Sequence, residues 1–141
     1  MDAREYLRHP AIVYSDIVVL REQIEILRSK MLPKAVDFEK ERVQTSPSDK
    51  MPDFAAKIDE LNHKLANLSQ EFDSSLEDVK SVIKQINNED AREIMAKRYI
   101  GNKSWNLIEK EVLWSRRSIF YLHRAGIRAV ARILENEATV K

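Results

Sequence analysis

The chain of 141 residues contains no cysteine, only two glycines and only four prolines. The absence of cysteine excludes a disulfide framework, thiolate metal sites and cysteine nucleophiles, and it fits a reducing compartment. Because glycine and proline are so scarce, few positions interrupt the chain, and the abundant Glu, Lys, Arg, Leu, Ile and Ala favour helix. The composition therefore predicts an all-α protein with almost no strand.

Long hydrophobic runs are missing as well. No apolar run approaches the ~20 residues that span a bilayer. The first residues, MDAREYLRHPAIVYSDIVVL, carry acidic side chains where a signal peptide needs an unbroken apolar region. We therefore expect a cytoplasmic protein with no membrane partner.

The patterns that carry catalysis are also absent. His9, His63 and His123 are scattered, and no two histidines stand at the i, i+4 spacing of helical metal sites of the HExxH kind. The segment IGNKS lacks the paired glycines of a phosphate loop. No nucleophile, base and orienting group can be assembled from the sequence. We expect a protein that is not an enzyme and that uses neither a metal nor a cofactor.

Charge is distributed unevenly along the chain, although the net charge is only +1. Residues 53 to 89 hold eight acidic residues against four lysines, whereas residues 90 to 141 hold eleven basic residues against six acidic ones. An acid-free block near the C-terminus contains Arg116, Arg117, Arg124, Arg128 and Arg132. This block indicates either a polyanionic partner or a solvated helix face.

Two segments show heptad spacing of apolar residues, the pattern of helices that pack against a partner helix. In the first segment the apolar residues are Val13, Ile17, Leu20, Ile24, Leu27 and Met31. Pro10 fits the first turn of this helix and Pro33 ends it, with residues 2 to 8 as a short separate turn. Residues 33 to 52 have no sustained apolar period and are predicted to be a mobile loop.

The second heptad segment runs from Phe54 to Ile86 and is much longer than the first. Folding the two helices together would leave part of the second seam uncovered, which favours association with another chain. The residues predicted for oligomerisation are Ile58, Leu61, Leu65, Leu68, Phe72 and Val79. The alternative is an intramolecular antiparallel hairpin. In either case residues 1 to 87 form a helical coiled-coil arm.

After residue 87, residues that typically begin or end helices follow one another at short intervals. Asn88 is expected to cap a helix over 90 to 100 that ends at Gly101 and Asn102, residues that tolerate left-handed backbone. Ser104 then caps a helix with Trp105, Ile108 and Val112 on its core face and Leu107 beside them. Leu113 and Trp114 make a turn, and Ser115 caps the last helix.

The last helix has two opposed faces. Ile119, Leu122, Gly126, Val130 and Ile133 cluster on one side, and Gly126 permits a close approach to a neighbouring helix. Nearly opposite lie Arg117, Tyr121, Arg124, Arg128 and Arg132. Three short helices with basic residues at the start of the last one are typical of a helix-turn-helix, which inserts that helix into the major groove. We assign residues 88 to 135 to this domain and residues 136 to 141 to a tail.

The run REIMAKRYIGNKSWNLIEKEVLWSRRSIFYLHRAGIRAV resembles region 4 of bacterial sigma factors and, more closely, the ArpU/RinA-type phage regulators of late gene transcription. The resemblance is strongest over residues 90 to 134, and the AREYL opening and the long heptad helices also fit that group. Two positions depart from the family pattern: Glu109 replaces a small residue and Leu113 replaces a glycine of the turn.

The resemblance implies a sequence-specific transcriptional regulator, encoded by a phage or prophage, that controls late genes in a bacterial host cell. It places Arg116, Arg117 and Tyr121 at bases and Ser118, Phe120 and Arg124 near the DNA backbone. Arg128 belongs to the same basic face. The implied partners are double-stranded DNA, a second copy of the chain in a dimer or higher oligomer, and RNA polymerase. Two alternatives stay open, a small terminase-like packaging protein and a helical adaptor that does not bind DNA.

Overall fold

The computed structural model describes residues 2–32 and 51–140, so the predicted loop lies outside the described residues except at its last two positions. Five α-helices are present: α1 Ala3–Met31, α2 Met51–Lys84, α3 Glu89–Met95, α4 Trp105–Val112 and α5 Arg116–Val140. A π-helical turn, Ala96–Ile100, follows α3 directly. No strand occurs within the two described ranges, and the prediction of an all-α protein is confirmed. None of the helices in these ranges has both the length and the apolarity needed to cross a bilayer.

Helix α1 is continuous from Ala3, which corrects the expected break before Pro10. The Asp2 carboxylate accepts a hydrogen bond from the backbone N–H of Glu5 at 2.8 Å and caps the helix two turns before the proline. Pro10 is therefore inside the helix, where it removes one backbone hydrogen bond. Leu7 and Pro10 are both buried, so apolar packing compensates for the lost bond.

Helix α2 begins at Met51, so the predicted loop is too long at its C-terminal end. Pro52 occupies the first turn, where its missing N–H would have had no helical partner. Asp53 adds a negative charge next to the positive end of the helix dipole. These two local effects allow the helix to start before the first apolar residue of the heptad series.

The described chain divides into two compact units. One, here called the helix-pair unit, comprises residues 13–71; the other, the C-terminal unit, comprises residues 1–12 and 72–141. The segments 1–12 and 72–87, assigned to the arm from sequence, thus belong to the same compact unit as α3, α4 and α5. The first turns of α1 and the last turns of α2 supply apolar side chains that the short C-terminal helices lack.

The helix-pair unit has a core made by the two heptad seams. Leu20 and Ile24 of α1 and Leu61 of α2 are buried together. The partly buried side chains packed against them are Leu27, Ile58, Leu65 and Leu68. Leu61 is therefore covered within the chain, because α1 occupies the α2 seam at this point.

The C-terminal unit has two apolar clusters. The larger one joins the start of α1, the end of α2, α3 and α5; its buried members are Ala3, Leu7, Val79, Val82, Ile83, Ile86, Ala91, Met95 and Val130. Val79, another residue predicted for oligomerisation, is only 1 % exposed here, because the start of α1 and helix α5 bury it. The smaller cluster joins one isoleucine from each of the last three α-helices, Ile94, Ile108 and Ile119.

Gly126 sets the distance between α3 and α5. A β-carbon at residue 126 would lie 2.5 Å from Cγ and 2.6 Å from Sδ of Met95, which is completely buried. Any side chain at residue 126 would force these two helices apart or displace Met95 in a close-packed core. The close helix approach expected at this glycine is present.

The connection from α3 to α4 differs from the simple helix end expected there. The N–H of Gly101 donates to the carbonyl of Ala96 at 2.9 Å, the i→i+5 bond of a π-turn. Gly101 keeps right-handed backbone, with φ −78°, whereas Asn102 takes the left-handed conformation, with φ 52°. A β-carbon at residue 101 would lie 2.9 Å from the Lys97 carbonyl oxygen, which explains glycine at this position.

One further boundary differs from expectation. Helix α5 continues to Val140, so the predicted tail is helical up to that residue. Leu107 is 43 % exposed and does not join the core face of α4. Ile108 fills that face, with Trp105 and Val112 packed against its cluster.

Candidate nucleic-acid interface

Serine caps position the last two helices. The Ser104 hydroxyl accepts the backbone N–H of Leu107 at 3.2 Å and begins α4. The Ser115 hydroxyl accepts the N–H of Ser118, also at 3.2 Å, and begins α5. Each cap satisfies a donor that has no partner inside its helix. The connection between the helices is only three residues, 113–115, so the first turn of α5 starts at a fixed place after α4.

Leu113 makes the turn between the two helices in a left-handed conformation, with φ 58°. Its N–H donates to the Glu109 carbonyl at 3.1 Å, which closes the last turn of α4. The side chain is 86 % exposed and packs against little. Glycine is the usual residue in this conformation, because a β-carbon makes left-handed backbone unfavourable by roughly 1–2 kcal/mol.

One face of α5 carries exposed cationic and aromatic side chains. Arg117, Tyr121, Arg124 and Arg128 follow one another at spacings of four, three and four residues, and all are exposed. Arg132 continues the row by four more residues. Within residues 2–32 and 51–140, none of these four arginines forms an ion pair. The row therefore presents uncompensated positive charge to solvent.

Arg116 behaves differently from the other arginines. Its guanidinium nitrogen lies 3.0 Å from a carboxylate oxygen of Glu109, and it also donates to the side-chain oxygen of Asn106. These contacts tie the first turn of α5 to α4. The family resemblance places Arg116 at bases, whereas the structure gives it two partners within the chain.

Phe120 and Ser118 also have partners inside the chain. The Phe120 ring meets the Trp105 ring edge to face, with centroids 5.3 Å apart. The Ser115 hydroxyl donates to the Ser118 hydroxyl at 3.0 Å. Phe120 remains 38 % exposed and Ser118 is exposed, so both lie at the edge of the basic row.

His123 belongs to the interior of the C-terminal unit. Its Nε2 shares a hydrogen bond of 2.7 Å with the Tyr99 hydroxyl, and its ring meets Trp105 edge to face at 4.9 Å. Burial lowers the pKa of His123 to about 4, and the positive charges of Arg4, Arg98 and Arg8 act in the same direction. The imidazole is therefore neutral at pH 7, and phosphate attraction through a charged histidine is excluded at this position.

A cluster of charged side chains connects α4 to the π-turn and to the segment after it. The Glu111 carboxylate accepts hydrogen bonds from Lys103 at 2.9 Å and from Lys97 at 2.7 Å. These two bonds lower the pKa of Glu111, and the bond from Glu111 raises the pKa of Lys97. The cluster was not identified from the sequence, because its members come from three segments and no local spacing relates them.

Comparisons with protein-family models, curated proteins and solved structures give no significant match. Among the described residues, no group of three or more histidine or carboxylate side chains is placed to hold a metal ion. The interpretation of the basic row on α5 therefore depends on its own geometry and chemistry.

Proposed function

We propose that α3, α4 and α5 form a helix-turn-helix and that the protein is a sequence-specific DNA-binding transcriptional regulator. The observation that carries the proposal is the row of exposed, unpaired arginines with Tyr121 on α5, opposite its buried face. Arginine binds phosphate oxygens and pairs bidentately with guanine, so such a row suits the major groove of DNA.

We assign the residues of the row to base edges or to phosphates according to their position along α5. Residues at the start of a recognition helix contact base edges, so Arg117 and Tyr121 are assigned to bases. Arg124 and Arg128 are assigned to phosphates, with Ser118 and Phe120 close to the backbone. Arg116 reaches DNA only after it leaves Glu109, which makes its contribution smaller than that of Arg117.

Regulation of phage or prophage late genes is proposed from the resemblance to the ArpU/RinA-type regulators, which is strongest over residues 90 to 134. A single helix-turn-helix binds DNA weakly and in a salt-sensitive way. A second copy contacting a half-site about one helical turn away, or contact with RNA polymerase, would supply further affinity.

Association of copies is proposed through the heptad helices. Ile12, Val19 and Ile26 of α1 recur every seven residues and are 56 %, 54 % and 55 % exposed. A seven-residue repeat keeps such side chains on one side of a helix, as in a coiled-coil seam. Sedimentation equilibrium of the wild type and of the Ile12→Glu, Val19→Glu, Ile26→Glu variant tests this. A dimer that the variant loses supports the proposal, and an unchanged dimer contradicts it.

Sequence-specific binding is tested by selecting sites from a random duplex pool and comparing Arg117→Ala with Arg132→Ala on the preferred site. Arg117→Ala should weaken binding by roughly 1 to 3 kcal/mol and relax the preference at one position. Arg132→Ala should weaken binding to all sequences alike. Equal losses that ignore sequence would contradict base reading by Arg117.

The same experiments separate the two alternative functions. A ring-sized oligomer would favour a packaging protein that resembles a small terminase subunit. A complete lack of DNA binding at low salt would favour a helical adaptor whose arginine face meets an acidic protein.

A further inference from the structure

A cavity of about 320 Å³ lies within the C-terminal unit. Its walls come from the first turns of α1, the π-turn and the segment after it, and helices α4 and α5. Small-molecule sites in proteins have volumes of about 300 to 1,000 Å³, so the cavity is of a size to hold a compact ligand.

Three arginines line this cavity, Arg4 and Arg8 from α1 and Arg98 from the π-turn. No acidic residue is among the described residues that line it. Arg4 and Arg8 form no ion pair within the described parts of the chain. Like charges four residues apart destabilise a helix, so their placement has a cost that no internal partner offsets.

Arg98 is held in place more firmly than the other two. Its guanidinium lies over the Trp105 ring, 4.7 Å from the centroid, and donates to the Lys103 carbonyl oxygen at 2.9 Å. These contacts leave its charge uncompensated, because neither partner is an anion. The charges of all three arginines act on two other residues of the wall: they help to lower the pKa of His123, and they oppose the rise in the pKa of Tyr99 that burial causes.

Apart from the polar side chain of Asn102, the rest of the wall is aromatic and apolar. Leu7, Trp105 and Phe120 line it together with the neutral His123 ring. An anion in this cavity would meet three cations in a site partly shielded from water, where charge-assisted hydrogen bonds are stronger than at an open surface. Arginine favours phosphate over a simple halide, because its planar donors match two phosphate oxygens.

We propose that this cavity binds a small phosphorylated ligand, with the phosphate held by Arg4, Arg8 and Arg98 and the remainder of the ligand against Leu7 and Phe120. The ligand would join α1 to α4 and α5 within the C-terminal unit. Because Phe120 also lies at the edge of the basic row, ligand occupancy is placed to influence that row.

The test uses inorganic pyrophosphate and ADP as probes with the full-length chain. Trp114→Phe leaves Trp105, in the cavity wall, as the only tryptophan of the two and so makes its fluorescence a local reporter. Each probe is titrated against this single-tryptophan protein at constant ionic strength, and isothermal titration calorimetry of the wild type gives the stoichiometry.

Three variants decide the outcome. Arg4→Ala with Arg8→Ala removes two of the cavity cations, and Arg21→Ala with Arg28→Ala removes two charges elsewhere on the same helix. Ala11→Phe narrows the cavity while keeping all three arginines. We expect one saturable site that weakens at least about tenfold in the first variant and in Ala11→Phe, and that is unchanged in the second.

Absence of saturable binding by both probes, or equal weakening in the two double-arginine variants, would overturn the proposal. Binding of a DNA duplex is measured in parallel on the same proteins. If Arg4→Ala with Arg8→Ala weakens DNA binding while neither small probe binds, the cavity belongs to the DNA surface and the small-ligand site is wrong. If the probes bind but DNA does not, the cavity proposal stands and the proposed regulator function fails.

Discussion

Arg116 reaches back from the first turn of α5 to Glu109 on α4, with 3.0 Å between guanidinium nitrogen and carboxylate oxygen. Both side chains are nearly half exposed, so the pair contributes at most about 1 kcal/mol to stability. Its larger effect is on the charge at the start of α5: Glu109 neutralises Arg116, the residue that directly precedes the basic row.

Replacement of Glu109 with glutamine should therefore strengthen non-specific DNA binding several-fold, because it releases Arg116 and removes a negative charge. The dependence of log K on log salt should steepen by up to about 0.9, the value of one additional phosphate contact. Anisotropy titrations across a salt series measure both quantities. Glu135→Gln, which removes the same charge from a residue without an ion pair in the described chain, is the matched control. Weaker DNA binding in Glu109→Gln would mean that the pair holds Arg116 in its binding position.

Substitutions of Leu113 test the left-handed backbone conformation of the turn between α4 and α5. Because its backbone is left-handed and its side chain is almost fully exposed, Leu113→Gly should raise the free energy of unfolding by roughly 0.5 to 1 kcal/mol. Leu113→Val should lower it, since a β-branched residue tolerates this conformation poorly. Urea unfolding followed by tryptophan fluorescence measures both changes, because Trp105 and Trp114 both lie in the C-terminal unit. A destabilised glycine variant would show that Leu113 makes stabilising contacts.

Gly126→Ala should destabilise the C-terminal unit by roughly 1 to 3 kcal/mol through overpacking against Met95, although alanine favours helix more than glycine does. The clash is with one side chain, so Met95→Ala should cost less in the Gly126→Ala background than in the wild type. A double-mutant cycle from urea unfolding tests this coupling. Additive effects of the two substitutions would contradict the close approach between these residues.

His123 should make stability depend on pH between about 6.5 and 4. Its folded pKa of about 4 lies below the ordinary value of 6.5, so the unfolded chain binds the proton more readily than the folded one. Stability contributed by the neutral ring is present above pH 6.5 and is lost as the pH falls toward 4. At about 1.4 kcal/mol for each pKa unit, the total loss is roughly 3 kcal/mol.

Urea unfolding of the wild type and of His123→Gln from pH 5 to 7.5 tests this pH dependence. The range lies above the ordinary pKa of carboxylates, so His123 dominates the slope. The glutamine variant should be less stable at pH 7 and nearly independent of pH in this interval. A slope equal to that of the wild type would contradict the buried neutral histidine.

Local chemistry explains which parts of the fold the sequence could predict. The side chains of Asn88, Ser104 and Ser115 each accept an N–H three residues ahead, and such short-range bonds follow from neighbouring residues alone. The glycine at residue 126 was also informative, because a glycine inside a helix has few explanations other than close packing.

Features that depend on distant packing were missed. The preference of proline for a first helical turn predicts a helix start at Pro10, but the burial of Leu7 that keeps α1 continuous depends on α2, α3 and α5. The π-turn after α3 and the pairing of Arg116 with Glu109 likewise depend on how segments meet. Among the candidate site residues, Arg117, Tyr121, Arg124 and Arg128 are exposed together, whereas Arg116, Ser118 and Phe120 have partners within the chain.

The most direct test of the central claim is the salt dependence of DNA binding with the Arg117→Ala, Arg124→Ala, Arg128→Ala variant beside the wild type. The control is Lys57→Ala, Lys64→Ala, Lys84→Ala, which removes the same three charges from α2. If the basic row on α5 binds DNA, the slope of log K against log salt should decrease in magnitude by about 1.8 in the arginine variant, at about 0.9 for each of the two phosphate contacts assigned to Arg124 and Arg128, and remain unchanged in the control. Equal changes in the two variants, or no DNA binding by the wild type at low salt, would contradict the account.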